Sequence, residues 1–435
     1  MRNLVIFAAA CLAFVWAAPL PGLQSAALAD ANRAGAEAVD EVVRYRIYLN
    51  QDRTVTKNAA VGIEMGLRAA LDDLPAETLI RGKRVEMELV IKDHRTNVFR
   101  AKQHMMEFAQ DPNALLFFAD VHSPPLLRYR AFINSEEILT FVPWAAGAGV
   151  TRPKSNENWM FRLSVDDRKA GAVIADHAVR AAQCRDMHFF LVDNPWGQGN
   201  ARSLRDGLAR HGRRASSTSW ISWLSSVEDL RPKVASLEAG PRDCILLVAG
   251  SPDSQALMAA LMELPEHKRP QVISHWGLAS ASFAENVPFA EREAVSLRFV
   301  QTCHNLFDDR PVVRAALRRL AEHADGAEWA TAEIPAAPAF VHAFDLGRIL
   351  VAALNQATLT GDVRADRRAL RAALVSLSQP VDGLIRRYVR PFEPYALDRP
   401  NAHEALSFDD HCMGYYDADN VIRVLPRPGA RTLSP

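Results

Sequence analysis

The chain has 435 residues, with 51 Lys plus Arg set against 51 Asp plus Glu, and 49% of its residues are hydrophobic. That balance of charge argues against nucleic acid or an anionic membrane surface as partner. No apolar stretch after the N-terminal segment reaches bilayer-spanning length, and the remainder, roughly 400 residues, is enough for two domains with complete cores.

Residues 1–29 read as a cleaved export signal. Arg2 gives the positive start, Leu4 to Ala18 a short apolar core, and Ala27-Leu28-Ala29 small residues ahead of Asp30. Ala8-Ala9-Ala10 before Cys11 also fit a lipoprotein signal, but the apolar run continues past Cys11, which is wrong for cleavage there. Export to a periplasm follows. Next come a β run at Tyr45–Leu49 and a helix over Ala60–Leu74 with Ile63, Leu67, Leu71 and Leu74 on one face. Val85–Ile91 is β, Phe99–Ala109 helical, Leu115–Ala119 β, a helix follows Pro124-Pro125, and Ile138–Val142 is β. A second cycle has a strand at Trp159–Leu163, a helix over 166–182, strand His188–Val192, helix Asn200–His211 and strand Ser217–Ile221. Helix Val227–Ala239, strand Ile245–Ala249, helix Ser254–Leu264 and strands Val272–Ser274 and Val295–Thr302 complete it. Three further helices, Pro311–His323, Ala339–Thr358 and Ala365–Leu377, precede an extended, Tyr- and Pro-rich end over 382–425 that returns to the second lobe as irregular strands.

Alternating β and α segments call for parallel sheets with right-handed crossovers, and continuous apolar strands are expected where helices cover both sheet faces. The most informative stretch is Phe189–Gly207, where a β run stops at Asp193-Asn194-Pro195, a Trp-Gly-Gln-Gly turn follows, and a helix begins. Such a unit aims a strand end, a turn and free helix N–H groups at one point, the usual ligand position in open α/β sheets. The fold class is therefore α/β with two Rossmann-like lobes.

Of the cysteines left after export, none form CxxC. Cys184 and Cys244 precede β runs and read as buried thiols, while Cys303 and Cys412 pair if their segments lie side by side. No GxSxG, GxxxxGK[ST] or HExxH motif or metal-spaced Cys/His set occurs, so no catalytic residue, metal or cofactor is assigned. Cys303-His304 and His411-Cys412 are neighbours that point to opposite faces of an extended chain, and Asp409-Asp410-His411 reads either as a metal cluster or as hinge hydrogen bonds. Gly147 and Gly149 lack the dinucleotide fingerprint, which removes nucleotide binding.

The export signal, GIEMGLRAALDDL (Gly62–Leu74), the strand and helix from Val85 to Asp111, FVPWAAGAG (Phe141–Gly149), FRLSVDDRKAG (Phe161–Gly171) and LVDNPWGQG (Leu191–Gly199) together resemble a known family. These segments are similar to the periplasmic substrate-binding proteins of branched-chain amino-acid-type ABC transporters, the leucine-binding-protein-like type I periplasmic binding proteins. The resemblance implies two lobes joined by three crossover hinge segments, near Trp159–Leu163, Leu297–His304 and Phe408–Tyr416. Lobe I would take 42–160 plus 303–408, lobe II 161–302 plus 409–425, and 426–435 a tail.

It also implies ligand contacts in strand-end loops: Gln51 after the first strand, His122-Ser123 where a carboxylate is bound, Trp144-Ala145-Ala146-Gly147 where a second hydroxyl is usual, Trp196 as a cover, and Ser251, His275 and Trp276 in the later lobe II loops. Residues 145–148 hold no hydroxyl, and Ser274-His275-Trp276-Gly277 holds no carboxylate to meet an α-ammonium. An unpaired buried ammonium costs several kcal/mol. The expected ligand is therefore an aromatic or apolar carboxylated molecule rather than a standard α-amino acid, although three tryptophans also suit a quaternary ammonium. Each tryptophan also reads as a packing plug, His275 as a satisfied loop residue, Asp52 as a turn cap, and Gly197-Gln198-Gly199 as the means to a tight turn. The implied partners are the small-molecule ligand and an inner-membrane ABC permease, or alternatively a membrane sensor, with a periplasmic enzyme as a third reading. The protein is expected to act as a monomer.

Overall fold

The computed structural model describes residues 42–74, 79–80, 83–304, 306–324 and 334–425. The expected export signal and the tail lie outside them. The first half builds β1 (Val42–Gln51), α1 (Lys57–Leu71), β2 (Leu79–Ile80), β3 (Lys83–Asp93), α2 (Val98–Gln110), β4 (Ala114–Phe118), α3 (Ser123–Ser135), β5 (Thr140–Val142) and β6 (Met160–Arg162). The six strands form one sheet in the order β2-β3-β1-β4-β5-β6. β1 runs parallel to both β3 and β4, with Leu49 opposite Ile91 and Phe118, and only the short β2 is antiparallel. β4, Ala-Leu-Leu-Phe-Phe, is buried at every position, as a central strand covered on both faces must be.

The second sheet holds β7 (Met187–Val192), β8 (Ser217–Ile221), β9 (Cys244–Val248), β10 (Gln271–Ser274), β11 (Arg298–Thr302), β14 (His411–Tyr416) and β15 (Ile422–Val424), in the order β15-β14-β11-β10-β9-β7-β8. Strands β7 to β11 are parallel, whereas β14 runs antiparallel to β11 and β15 antiparallel to β14. Its helices are α4 (Asp167–Asp176), extended by a π-helical turn over His177–Ala181, then α5 (Pro195–Ala209), α6 (Val227–Ala235), α7 (Ser251–Met262), α8 (Ala281–Asn286) and α9 (Phe289–Ala294).

After β11 come α10 (Pro311–Ala324), α11 (Ala337–Gln356) and α12 (Val363–Val375), followed by a two-strand ribbon of β12 (Val381–Asp382) and β13 (Arg387–Tyr388). α11 is apolar and long enough to cross a membrane, yet most of it is buried against α1 inside the first lobe. That packing explains the glycines of Gly62–Leu74: a Cβ on Gly66 would come within 2.2 Å of the Phe340 carbonyl oxygen, so only glycine lets the helices meet. The chain thus leaves the first sheet after β6, returns to the first lobe after β11, and rejoins the second sheet at β14. Among the described residues one cluster of buried apolar residues runs through both sheets, and a second, smaller one that includes Met65, Val313, Phe340 and Phe344 lies between α1, α10 and α11.

Three expectations need correction. The Trp-Gly-Gln-Gly segment is not a turn but the first turn of α5, which starts at Pro195. Asn194 caps it by accepting from the Trp196 and Gly197 amides at 2.9 and 3.0 Å, and proline at the first helical position loses no hydrogen bond. Cys184 and Cys244 are not free thiols but a disulfide, with Cα atoms 5.6 Å apart. Parallel pairing of β7 with β9 sets Met187 opposite Cys244, which draws the two segments together. The extended end over 382–425 is mostly irregular until β14, which a second disulfide, Cys303–Cys412, ties to the end of β11.

Candidate functional site

The carboxyl ends of β1, β4 and β5 on one side and of β7, β8, β9 and β10 on the other face a cavity of about 510 Å³ between the lobes. His122, Ser123, Trp144, Ala146, Trp196, Ser251 and Trp276 line it. The other four candidates, Gln51, Ala145, Gly147 and His275, do not. Gln51 is buried and donates to the Ala60 carbonyl at 2.8 Å, fixing β1 to α1. Ala145 is fully buried, and its carbonyl accepts from Arg162 Nη1 at 3.2 Å. Gly147 donates its amide to Ser123 Oγ at 2.9 Å, which joins the two loops and leaves the serine proton to give. His275 is fully buried, with Nε2 2.9 Å from Asp167 Oδ1. Its amide still bonds Leu247 as a continuation of β10, so its ring turns into lobe II.

Trp223, not among the expected residues, also lines the cavity, two positions beyond β8. The strand-end rule that singled out Trp196 applies to it equally. The loop into α1 adds Thr54, Val55 and Thr56, and its turn is held as expected by Asp52 Oδ1, which accepts from the Thr54 and Val55 amides at 3.0 and 3.2 Å.

Two of the expected tryptophans meet each other. Trp144 and Trp276 stack with ring centroids 4.5 Å apart and planes 22° from parallel. Trp276 is 1% exposed, and its other neighbour is His342 of α11, at 5.1 Å. His342 is in turn fixed by the Pro143 carbonyl and Thr302 Oγ1, each 2.9 Å away. Trp196 and Trp223 stay half-buried, so they keep surface for a ligand. The Trp196 indole N–H donates to Asp167 Oδ1 at 3.3 Å, which fixes the ring angle.

The charge of the wall is one-sided. Among the described residues lining the cavity there is no carboxylate, and the ionisable side chains are Lys57 and His122. Helices α1, α3 and α7 all begin at the cleft without a side-chain cap, which turns positive dipole ends toward it. Behind Trp223, the buried carboxyl of Asp253 accepts from the Ser225 amide at 2.8 Å, while burial pushes its pKa up to about 6.

The sequence matches the model of a family described as periplasmic binding protein over residues 48–407. The chain belongs to this family. No curated protein matches it. A possible leucine/isoleucine/valine-binding protein from Rhodopirellula baltica shares its fold at 16% identity with a TM-score of 0.69, covering 88% of this chain and 96% of that one. A Rhodopseudomonas palustris solute-binding protein in complex with benzoate aligns at 14% identity and TM-score 0.65, over 88% and 95%. One from R. palustris HaA2, in complex with p-hydroxybenzoic acid, aligns at 13% and 0.66, over 86% and 93%. The architecture is that of type I periplasmic binding proteins. Membership implies a small-molecule ligand, an ABC permease as partner and a periplasmic location.

A buried ionic network lies where the first and last passages between the lobes meet. Arg162, fully buried at the end of β6, reaches Glu404 at 2.6 Å and Asp166 at 3.0 Å. Arg152 meets the other oxygen of Asp166 at 2.5 Å. The Asp166 carboxyl is thereby held well below the usual range: burial works against its charge, but Arg162 and Arg152 outweigh it. Arg162 also donates to the Gly147 carbonyl at 2.9 Å, which bonds the passage after β6 directly to the Trp144–Gly147 loop. His411 accepts the Asp166 amide at 3.2 Å, tying the last passage to the first. Asp410 accepts from the Ser407 amide and hydroxyl, both at 2.7 Å, so the Asp409-Asp410-His411 cluster takes part in hinge hydrogen bonds.

Proposed function

We propose that this periplasmic binding protein captures an aromatic or apolar monocarboxylate between its lobes and hands it to an ABC importer. The observation that carries the reading is the cavity wall, with four indoles, Lys57 and His122, and no carboxylate among its described residues. An amino acid's α-ammonium would be desolvated there with no carboxylate in the lining to pair with, since Asp52 and Asp120 behind it are engaged by His122, Thr54 and His94, at a cost of several kcal/mol. A quaternary ammonium fits less well for the same reason, since an aromatic cage beside lysine adds repulsion. A flat ring with one carboxylate places its apolar face on Trp196 and Trp223 and its charge at the helix starts near His122 and Ser123. That two fold relatives hold benzoate and p-hydroxybenzoic acid supports this choice of chemistry.

The mechanism is closure about the three passages. The expected boundary after 160 cuts β6, whose Phe161 and Arg162 pair with β5, so we assign lobe I to 42–162 plus 303–408 and lobe II to 163–302 plus 409–425, with ligand favouring the closed form by touching both faces. The role is transport rather than catalysis, by a monomer exported through residues 1–29. A thermal-shift series tests the ligand class. Benzoate or 4-hydroxybenzoate at about 100 times its Kd stabilises the fold by about 2.7 kcal/mol, whereas leucine and valine leave the melting temperature unchanged. A rise with micromolar leucine would refute the reading.

A further inference from the structure

This inference rests on the reading just given, that the cleft takes a carboxylate, and concerns the counter-charge. His122 stands at the start of α3 with its side chain in the cavity wall, 13% exposed. Its Nε2 lies 3.0 Å from Asp52 Oδ2. Its backbone amide donates to Asp120 Oδ1 at 3.1 Å, and the other Asp120 oxygen lies 3.0 Å from His94 Nε2. The two imidazoles meet edge to face at 5.4 Å. Two carboxylates and two histidines therefore alternate directly behind the wall.

Both carboxylates stay ionised. Burial opposes charge on Asp52, but hydrogen bonds from His122 and Thr54 outweigh it and hold its carboxyl well below the usual range. Asp120 is lowered in the same way, with burial overcome by His94 and His122. Burial pulls His94 down, yet Asp120 and then Asp52 and Asp93 hold it above the ordinary histidine value. Because Asp52 accepts from Nε2, a second proton on His122 would sit on Nδ1 and make the ring a cation. With both imidazoles neutral, the quartet places two negative charges beside the cavity and repels an entering anion. With both protonated, the quartet is neutral and His122 is a cation at the ligand's edge.

We propose that His122 is the protonated counter-ion of the ligand's carboxylate, so that capture takes up one proton from solvent and affinity declines as the medium turns alkaline. Lys57 of α1 lines the same side of the cavity. The facing lobe contributes no charged side chain among the described lining residues, and Asp253 sits behind the Trp223 loop, bonded to Ser225.

The test is calorimetric titration of the full mature protein with benzoate and 4-hydroxybenzoate from about pH 5.5 to about pH 8, the histidine range, in two buffers of different ionisation heat. Kd rises toward about tenfold per pH unit, and proton uptake approaches one per ligand at the alkaline end. His122→Gln, which keeps a donor for Asp52 without a titrating charge, binds weakly with a flat profile. A flat wild-type profile without proton uptake overturns this proposal and leaves the aromatic-carboxylate reading standing. Failure of both acids to bind at any pH overturns both. Should His122→Gln not fold, Asp52→Asn replaces it: loss of the negative charge moves the decline in affinity to lower pH, and an unmoved decline counts against the proposal.

Discussion

Trp276 reaches from lobe II into lobe I and stacks on Trp144 at 4.5 Å, with His342 on its other flank. The two lobes are therefore joined by an aromatic contact between their own residues at the inner end of the cleft. A stacked pair contributes about 0.5–1.5 kcal/mol beyond its buried area, enough to shift an opening equilibrium several-fold.

The first prediction follows. Paired indoles couple their transitions, so the ligand-free protein should give an exciton couplet in circular dichroism that either Trp144→Phe or Trp276→Phe abolishes. Trp276→Ala should also raise the radius of gyration of the ligand-free protein measured by X-ray scattering, because nothing then holds the lobes together at that point. A couplet that survives both phenylalanine variants would mean the rings are not stacked in solution.

Much of this arrangement was legible from residue pattern, and the reasons it was not complete are local. β4, β7 and β9 are continuous apolar runs because helices cover both sheet faces, and such runs are easily placed. His275 and Trp276 are neighbours, yet only Trp276 reaches the cavity. The difference is that His275 still bonds the β9 ladder while Trp276 opens a 3₁₀ turn, and residue types alone do not mark that change. Trp223 carried a usable signal, its place just past a strand end. The Cys184–Cys244 bond carried none, because two cysteines 60 positions apart are brought together only by sheet pairing. Glu404 likewise sits in irregular chain, and nothing in its surroundings announces that it closes on Arg162.

The second prediction concerns acid stability. Burial depresses His304 and His411 to about 4 and His403 to about 3, and drives His342 well below the ordinary value, with His304 adding to that last shift. A depressed folded-state value gives stability that is present above the unfolded value, near 6.5, and is lost as pH falls toward the folded one. Each histidine costs up to about 1.4 kcal/mol per pH unit in that window. Asp253 and Asp345, both raised by burial to about 6, act in the opposite sense, since their neutral forms favour folding below that value. Burial also depresses His104, His177 and His188, whereas His94, held above its ordinary value, acts with the two aspartates, so seven groups against three leave a net loss. Denaturant unfolding at successive pH values should show stability falling from about pH 6.5 downward, and Asp253→Asn should gain on the order of 1 kcal/mol at neutral pH. Constant or rising stability over that interval would contradict the burial of these imidazoles as neutral groups.

The third prediction tests the hinge. Arg162 is fully buried and shares Glu404 and Asp166 with Arg152 and Lys169, so three cations face two carboxylates where the first and last passages meet. Removing one charge from such a set leaves a desolvated partner behind, which costs about 3–5 kcal/mol. Glu404→Gln keeps shape and one acceptor, so its effect should fall at the low end of that range, while Arg162→Met also frees the Ala145 and Gly147 carbonyls and should exceed it. Because those carbonyls belong to the loop that carries Trp144, Arg162→Met should weaken ligand binding as well, although Arg162 itself does not line the cavity. Glu404→Gln should leave affinity nearly unchanged once the protein is folded. Equal losses of affinity in the two variants, measured by titration with benzoate, would show that the network acts through overall stability and not through the loop.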